Sequence, residues 1–224
     1  MRLYLSSYQM GDHPEELVRL TGSRKRTALI MNAIDLDDSR TRAIKLQKQT
    51  SHLKELGLEP EEIDLRNYFS NPGNLENRLS QFGLVWVRGG NSFVLKRAFE
   101  QSGFENIIKS MLERDALVYG GFSAGAVMVT PTLRGIDLCD DALQVPPGYK
   151  NDFQWECLSL VAHSIIPHYR SNHPEAPFME DIVRYMAENG LPYRTLRDGE
   201  AIVVEGGQEK IIERADVLRY PYEH

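Results

Sequence analysis

At 224 residues the chain is long enough for one substantial domain with a single buried core. Its 42% hydrophobic and 26% charged content excludes a disordered chain, and its net charge of -6 disfavours a general nucleic-acid binder, which would carry a basic face. No stretch reaches the roughly 18 uninterrupted apolar residues of a membrane helix, and Met1 to Ser6 turns polar too soon for a signal peptide, so a cytoplasmic protein with no membrane partner is expected.

In chain order, apolar runs alternate with amphipathic stretches, the pattern of an α/β sandwich with a mainly parallel sheet. Residues 2–8 and 27–33 read as the first two strands. Asp37 or Ser39 can cap a helix that runs to about Leu56 and is ended by Gly57, with Ala43, Leu46, Leu53 and Leu56 on its buried face. A third short strand is expected at 63–65, a turn at 67–74 and a short helix at 75–82. The buried strand 84–87 then runs into Gly89-Gly90-Asn91-Ser92 and a helix. A further helix at 106–114 precedes the strand 116–119, which leads into Gly120-Gly121-Phe122-Ser123-Ala124-Gly125-Ala126. Residues 130–150 hold loop formers and an acidic cluster, Asp137, Asp140 and Asp141. A strand is expected at 158–166, a helix at 174–189 stopped by Gly190, and a closing hairpin from 201–205 and 210–212 around Gly206-Gly207. No repeat or linker divides the chain, so residues 1–224 read as one catalytic domain.

Gly121-Phe122-Ser123-Ala124-Gly125 matches Gly-x-Ser-x-Gly between a buried strand and a helix-compatible stretch. Such a turn forces the serine into strained backbone, and glycine on either side removes side chains that would clash. It projects the hydroxyl outward and leaves N–H groups free at the helix start to hold an oxyanion. Gly-rich turns that bind phosphate or nothing are common; the strand before this one and the small residues around it favour a nucleophile.

A serine nucleophile needs a base. His13 lies in a loop, His224 at the C-terminus, His52 on a helix surface and His163 inside the expected strand. His168 follows Pro167 at a strand's C-terminal end, where α/β sheets gather their active sites, and His173 is the runner-up on the same loop. The Gly89-Gly90-Asn91 turn is suited to supply a second oxyanion N–H. Cys139 and Cys157 have neither disulfide nor metal spacing and read as reduced thiols; no metal or cofactor is expected, and nothing in the sequence sets an oligomeric state.

Val87-Arg88-Gly89-Gly90-Asn91-Ser92-Phe93-Val94-Leu95, Gly121-Phe122-Ser123-Ala124-Gly125-Ala126 and Ile166-Pro167-His168-Tyr169 resemble, in this order, the peptidase E (dipeptidase E) and cyanophycinase family over nearly the whole chain. The resemblance implies a three-layer α/β/α fold like that of class I glutamine amidotransferases. It implies Ser123 as nucleophile, His168 as base, and N–H groups near Gly90 and Ala124 as oxyanion hole. The substrate it implies is a small peptide, with an N-terminal aspartate in characterised members. Phe122 replaces the usual Trp. The family's Leu-Pro-Glu-Gly segment, whose glutamate is a candidate acid, is set against Leu191-Pro192-Tyr193-Arg194, and Tyr193 cannot stand in for a carboxylate.

The acid is therefore sought between Ser123 and His168: Asp137 first, then Asp141 and Asp140. Arg170, with Arg134 as alternative, is the candidate partner for an acidic substrate side chain, and Asn91 a further substrate contact. The readings that compete with a serine peptidase are an esterase of the α/β-hydrolase type and a non-catalytic binding relative, the latter supported only by the missing glutamate.

Overall fold

The computed structural model describes residues 1–215. The first strand β1 (Arg2–Ser6) is followed by α1 (Pro14–Thr21), β2 (Arg26–Ile30), α2 (Ser39–Glu55), β3 (Glu59–Glu62), α3 (Leu75–Leu79), β4 (Leu84–Val87), α4 (Ser92–Gln101) and α5 (Phe104–Glu113). Then come β5 (Val118–Phe122), the one-turn α6 (Ala124–Val127), β6 (Ser164–Ile166), α7 (Ala176–Glu188), β7 (Tyr193–Thr195), β8 (Ala201–Glu205) and β9 (Gln208–Ile212).

Seven strands form one sheet in the order β3-β2-β4-β5-β1-β8-β9. The first five are mutually parallel, and β8 and β9 close the sheet with antiparallel pairings. Alternation along the central strands sends side chains to two cores: Leu3, Leu5, Val85 and Val87 meet residues of α3, α4, α5 and α7, while Tyr4, Leu84 and Trp86 meet Leu17 and Leu20 of α1 and Leu53 of α2. The three-layer α/β sandwich read from the sequence is the fold observed. Five parallel strands so ordered put their C-terminal ends on one edge, where ligand sites of such sheets gather.

The differences in detail have local causes. The third strand is Glu59–Glu62, not 63–65. It is a polar edge strand pairing with β2 on one side only, so it carries no apolar run, while Ile63 and Leu65 are buried in the turn beyond it. The strand expected at 158–166 shrinks to Ser164–Ile166, because the N–H groups of Leu158, Ser159 and Leu160 bond back to Met128, Thr130 and Val129 in the loop after α6. His163 therefore precedes β6. The cap of α2 is Asp38, whose carboxylate accepts from Arg40 N and Thr41 N at 3.0 Å. Helix α1 and strand β7 were not foreseen, and His224 lies outside the described residues. Among the described residues no helix is long and apolar enough to cross a membrane.

The turn leaving β5 is packed against β4 more tightly than any side chain allows. A Cβ on Gly125 would stand 2.2 Å from the Val87 carbonyl oxygen. Gly125→Ala is expected to destabilise the protein by about 1–3 kcal/mol, the usual cost of forcing one extra carbon into a packed interior, read as a lowered urea midpoint.

Candidate active site

Ser123 leaves β5 with φ 50° and ψ −121°, a region that L side chains rarely adopt, and its carbonyl starts α6 by accepting from Ala126 N (2.8 Å) and Val127 N (2.9 Å). Its own N–H is bound by the carbonyls of Ser6 (3.3 Å) and Ser7 (3.1 Å) just beyond β1. The Gly89-Gly90 turn after β4 presses on it: a Cβ on Gly89 would lie 2.8 Å from Ser123 Cβ, and Gly90 at φ +150° leaves no room between itself and the Ala33 carbonyl. Among the described residues the N–H groups of Gly90 and Ala124 bond to no protein acceptor. These are the two donors the sequence nominated for an oxyanion.

His168 follows β6 at φ 58° with only 1% of its side chain exposed. Its backbone N–H donates to Ser7 Oγ (2.8 Å), and its Nδ1 lies 2.8 Å from Asp198 Oδ1. With Asp198 accepting, Nδ1 carries the proton and Nε2 is left basic. His173 stacks on His168, ring centroids 3.6 Å apart and planes 6° from parallel, and Tyr8 packs edge-on to both. Ser7 binds the backbone of both Ser123 and His168, and Glu175, 3.7 Å from His168 Nε2, lines the same pocket as Ser123. Among the described residues the imidazole's side-chain hydrogen bond is to Asp198, and none joins it to the Ser123 hydroxyl.

The carboxylate on the imidazole is thus Asp198, which the sequence reading missed. Asp137 is exposed and accepts from Gly135 N (3.0 Å), and Asp141, also exposed, accepts from Leu143 N (2.8 Å); both only stiffen their own loop. Asp140 accepts from Ser92 N (2.7 Å) and turns toward the site, yet does not bond His168. Leu191-Pro192-Tyr193 runs into β7, and Tyr193 is exposed. The Leu-x-acid-Gly pattern recurs further on as Leu196-Arg197-Asp198-Gly199, and that was the available signal. Asp198 also accepts from Ser7 Oγ (2.8 Å), while its backbone N–H donates to Ser171 Oγ (2.8 Å). Burial pushes its pKa up, but the hydrogen bonds from His168 and Ser7 and the charge of the imidazoles leave it below the usual carboxylate value.

Two sequence candidates for substrate binding are otherwise engaged. Arg170 is 60% exposed and paired with Glu180 at 2.7 Å. Asn91 caps α4, accepting from Phe93 N and Val94 N, and its amide donates to the Asp141 carbonyl, although it still lines the open cleft beside Gly90. The alternative, Arg134, lies over Trp155.

A small pocket opens beside Ser123 between Ser92, Val127, Ile136, Met179 and Ile182, with Asp140 and Glu175 also lining it. Glu175 Oε2 is 3.7 Å from His168 Nε2. Burial first, then the neighbouring Asp140, raises the pKa of Glu175, and burial raises that of Asp140. Ligand atoms of His168, His173 and Glu175 lie within 4.8 Å of one another, but the stacked, parallel rings do not converge on one point as metal ligands do.

A model of peptidase family S51 matches residues 7–212 of the chain. Peptidase E of Streptomyces coelicolor is 35% identical over 150 residues, 64% of this chain and 57% of that protein. An uncharacterized peptidase of Listeria monocytogenes is 30% identical over 154 residues, 69% of this chain and 71% of its own length. A Drosophila melanogaster protein named probable alpha-aspartyl dipeptidase is 30% identical, over 66% of this chain and 60% of its own. The matches thus span less than two thirds of the Streptomyces and Drosophila relatives. Among solved structures, a peptidase E-type protein of Listeria monocytogenes superposes with a TM-score of 0.74 at 26% identity, covering 96% of this chain and 98% of that one. A peptidase from an acI-B1 actinobacterium, 16% identical with a TM-score of 0.64, shares the fold.

The raised Glu175 carboxyl has a thermodynamic consequence. An acid whose folded pKa exceeds its unfolded one, about 4.3 for Glu, loses its proton first in the unfolded chain. Stability therefore falls as pH rises from the unfolded value through the folded one, and the full penalty stands above it. Glu175→Gln should raise Tm relative to the parent at pH 7, with a much smaller difference at pH 4, in paired thermal melts.

Proposed function

The chain belongs to peptidase family S51, and from that premise we propose that it is a cytoplasmic serine peptidase, acting as a single catalytic domain, that hydrolyses small peptides with a free N-terminus through an acyl-enzyme. The observation that carries the reading is the Asp198–His168 hydrogen bond, held with the strained Ser123 through one residue, Ser7.

Ser123 Oγ attacks the carbonyl carbon of the first residue as His168 Nε2 takes its proton. The oxyanion is received by the N–H groups of Gly90 and Ala124. Asp198 fixes the Nδ1–H tautomer and stabilises the imidazolium. That proton passes to the leaving amine, the C–N bond breaks, and water, deprotonated by the same imidazole, hydrolyses the ester. The peptide's ammonium group lies toward Asp140 and Glu175, whose combined charge suits a cation. No Lys or Arg lines this pocket among the described residues, so an acidic first side chain gains nothing there. The non-catalytic alternative rested on a missing carboxylate, and Asp198 stands against it.

Ser123→Ala is expected to abolish peptide hydrolysis while the protein stays folded, a loss on the order of 10⁴-fold or more. Asp198→Asn should cost about 10⁴-fold in kcat by favouring the wrong tautomer, with Asp137→Asn and Asp141→Asn close to the parent. Dipeptide turnover followed by ninhydrin or mass spectrometry decides. Full activity in Asp198→Asn would return the acid to another residue.

The substrate side has its own test. The ratio of kcat/KM for Asp-Ala to that for Ala-Ala should not exceed one, and Arg170→Ala should leave it unchanged. A ratio well above one that collapses in Arg170→Ala would restore Arg170 as the reader of an acidic side chain.

A further inference from the structure

Tyr8 and Phe122 line a second, open pocket whose charge is opposite to that of the first. Its lining includes Lys45, Lys48 and His52 from α2 and, at its base, Arg88, the residue between β4 and the Gly89-Gly90 turn. Lys45 is neutralised by Asp37 at 2.7 Å. Lys48 and Arg88 form no ion pair among the described residues.

Arg88 is the unusual member. Its guanidinium lies 5.9 Å from the centre of the Phe122 ring and donates to the Gly89 carbonyl, but no carboxylate meets it. Burial draws its pKa below the ordinary guanidinium value, with only the more distant charge of Asp37 and the phenol of Tyr8 acting the other way. A partly buried cation without a counter-ion is costly, and five fixed donors suit a carboxylate in the place of the missing partner.

The position of the pocket identifies which carboxylate. His168 must return its proton to the leaving nitrogen, so the leaving residue lies on the imidazole's side of Ser123. Tyr8 packs edge-on against both His168 (5.9 Å) and Phe122 (6.3 Å), and Tyr8 and Phe122 are walls of the basic pocket. The pocket therefore begins one side chain away from where the leaving residue sits. The first pocket, with Asp140 and Glu175, would repel an anion.

We propose that the Arg88 pocket binds the α-carboxylate of the leaving residue, which makes the enzyme selective for dipeptides with a free C-terminus. The inference rests on the peptidase reading above, since the leaving side is defined by His168 acting on Ser123. It assigns the two ends of a zwitterionic dipeptide to two pockets of opposite charge, one lined by Ser123 and the other by Tyr8, Phe122 and Arg88.

The test measures binding, so it does not depend on turnover. In a Ser123→Ala background, Ala-Ala and its C-terminal amide are titrated by calorimetry, then again after adding Arg88→Gln. The free acid should bind about 10-fold or more tightly than the amide, as a charge-assisted hydrogen bond to a partly buried partner implies. Arg88→Gln should erase that preference. Lys48→Gln, an exposed change that carries little folding risk, should reduce it several-fold. A preference that is absent, one that survives Arg88→Gln, or a failure of the free acid to bind overturns the proposal. Asp-Ala amide is the third ligand. If it binds as tightly as Ala-Ala through Arg88, the pocket reads a side-chain carboxylate and the assignment to the leaving residue is wrong. Parallel assays of the unmutated protein on Ala-Ala and Asp-Ala judge the peptidase reading separately: hydrolysis of neither, with intact binding preference, sinks the activity and leaves the pocket.

Discussion

Ser7 is the point on which the site depends. It is fully buried immediately after β1, with its N–H bound to the Glu200 carbonyl at 3.1 Å, and it contacts three segments distant in sequence. Its carbonyl holds the Ser123 N–H, its hydroxyl oxygen accepts the His168 N–H, and its hydroxyl proton goes to Asp198. The Ser123 turn, His168 and Asp198, the proposed nucleophile, base and acid, are thereby referred to one strand end in the middle of the sheet. Without that anchor, residues 123, 168 and 198 would sit on independent loops, and catalytic groups must be held to within fractions of an ångström.

A second constraint makes the first affordable. Ser123, His168 and Gly90 all have positive φ, and the first two are not glycines, so each stores backbone strain of about 1–3 kcal/mol. Strain of that kind persists only where the surroundings over-determine the conformation. Around Ser123 they do: β5 lies between β4 and β1, the serine's N–H is shared between the carbonyls of Ser6 and Ser7 at the end of β1, and Gly89 leaves no space for the turn to relax toward β4.

How much of this the sequence disclosed follows from where each signal lives. The central strands announce themselves because burial on both faces demands continuous apolar runs such as Leu84-Val85-Trp86-Val87. The edge strand Glu59–Glu62 is hidden by its polarity, and the segment at 158–161 imitates a strand because it is apolar while its hydrogen bonds go to a loop. Ser123 and its turn are legible because local backbone strain demands glycine at fixed spacing. The partner of His168 is not, since nothing local fixes a carboxylate that arrives from 30 residues away. The Leu-Pro at 191–192 drew the family's acidic segment to the wrong place, and the acidic cluster at 137–141 was nearer in sequence but spent on its own loop. Charge pockets are illegible for the same reason: Arg88 gave no sign that its counter-ion would be absent.

The carboxylates around the imidazole show how environment divides roles among chemically similar groups. Asp198 is half-buried, but it accepts hydrogen bonds from Nδ1 and from Ser7, and those bonds outweigh burial, so it stays ionised and can stabilise a positive ring. Asp140 and Glu175 lie in the pocket beside Ser123, Glu175 3.7 Å from Nε2; burial raises both carboxyls, and the charge of Asp140 adds to the cost of ionising Glu175. On the Nδ1 side, then, the charge is fixed; on the Nε2 side it is available to whatever cation enters. In the proposed mechanism, a substrate ammonium that met Glu175 would relieve this repulsion and draw the carboxylate away from Nε2, the nitrogen assigned to face Ser123. Under that proposal, substrate entry and release of the base are one electrostatic event, which is a physical reason for an acidic wall beside the His168–Asp198 pair.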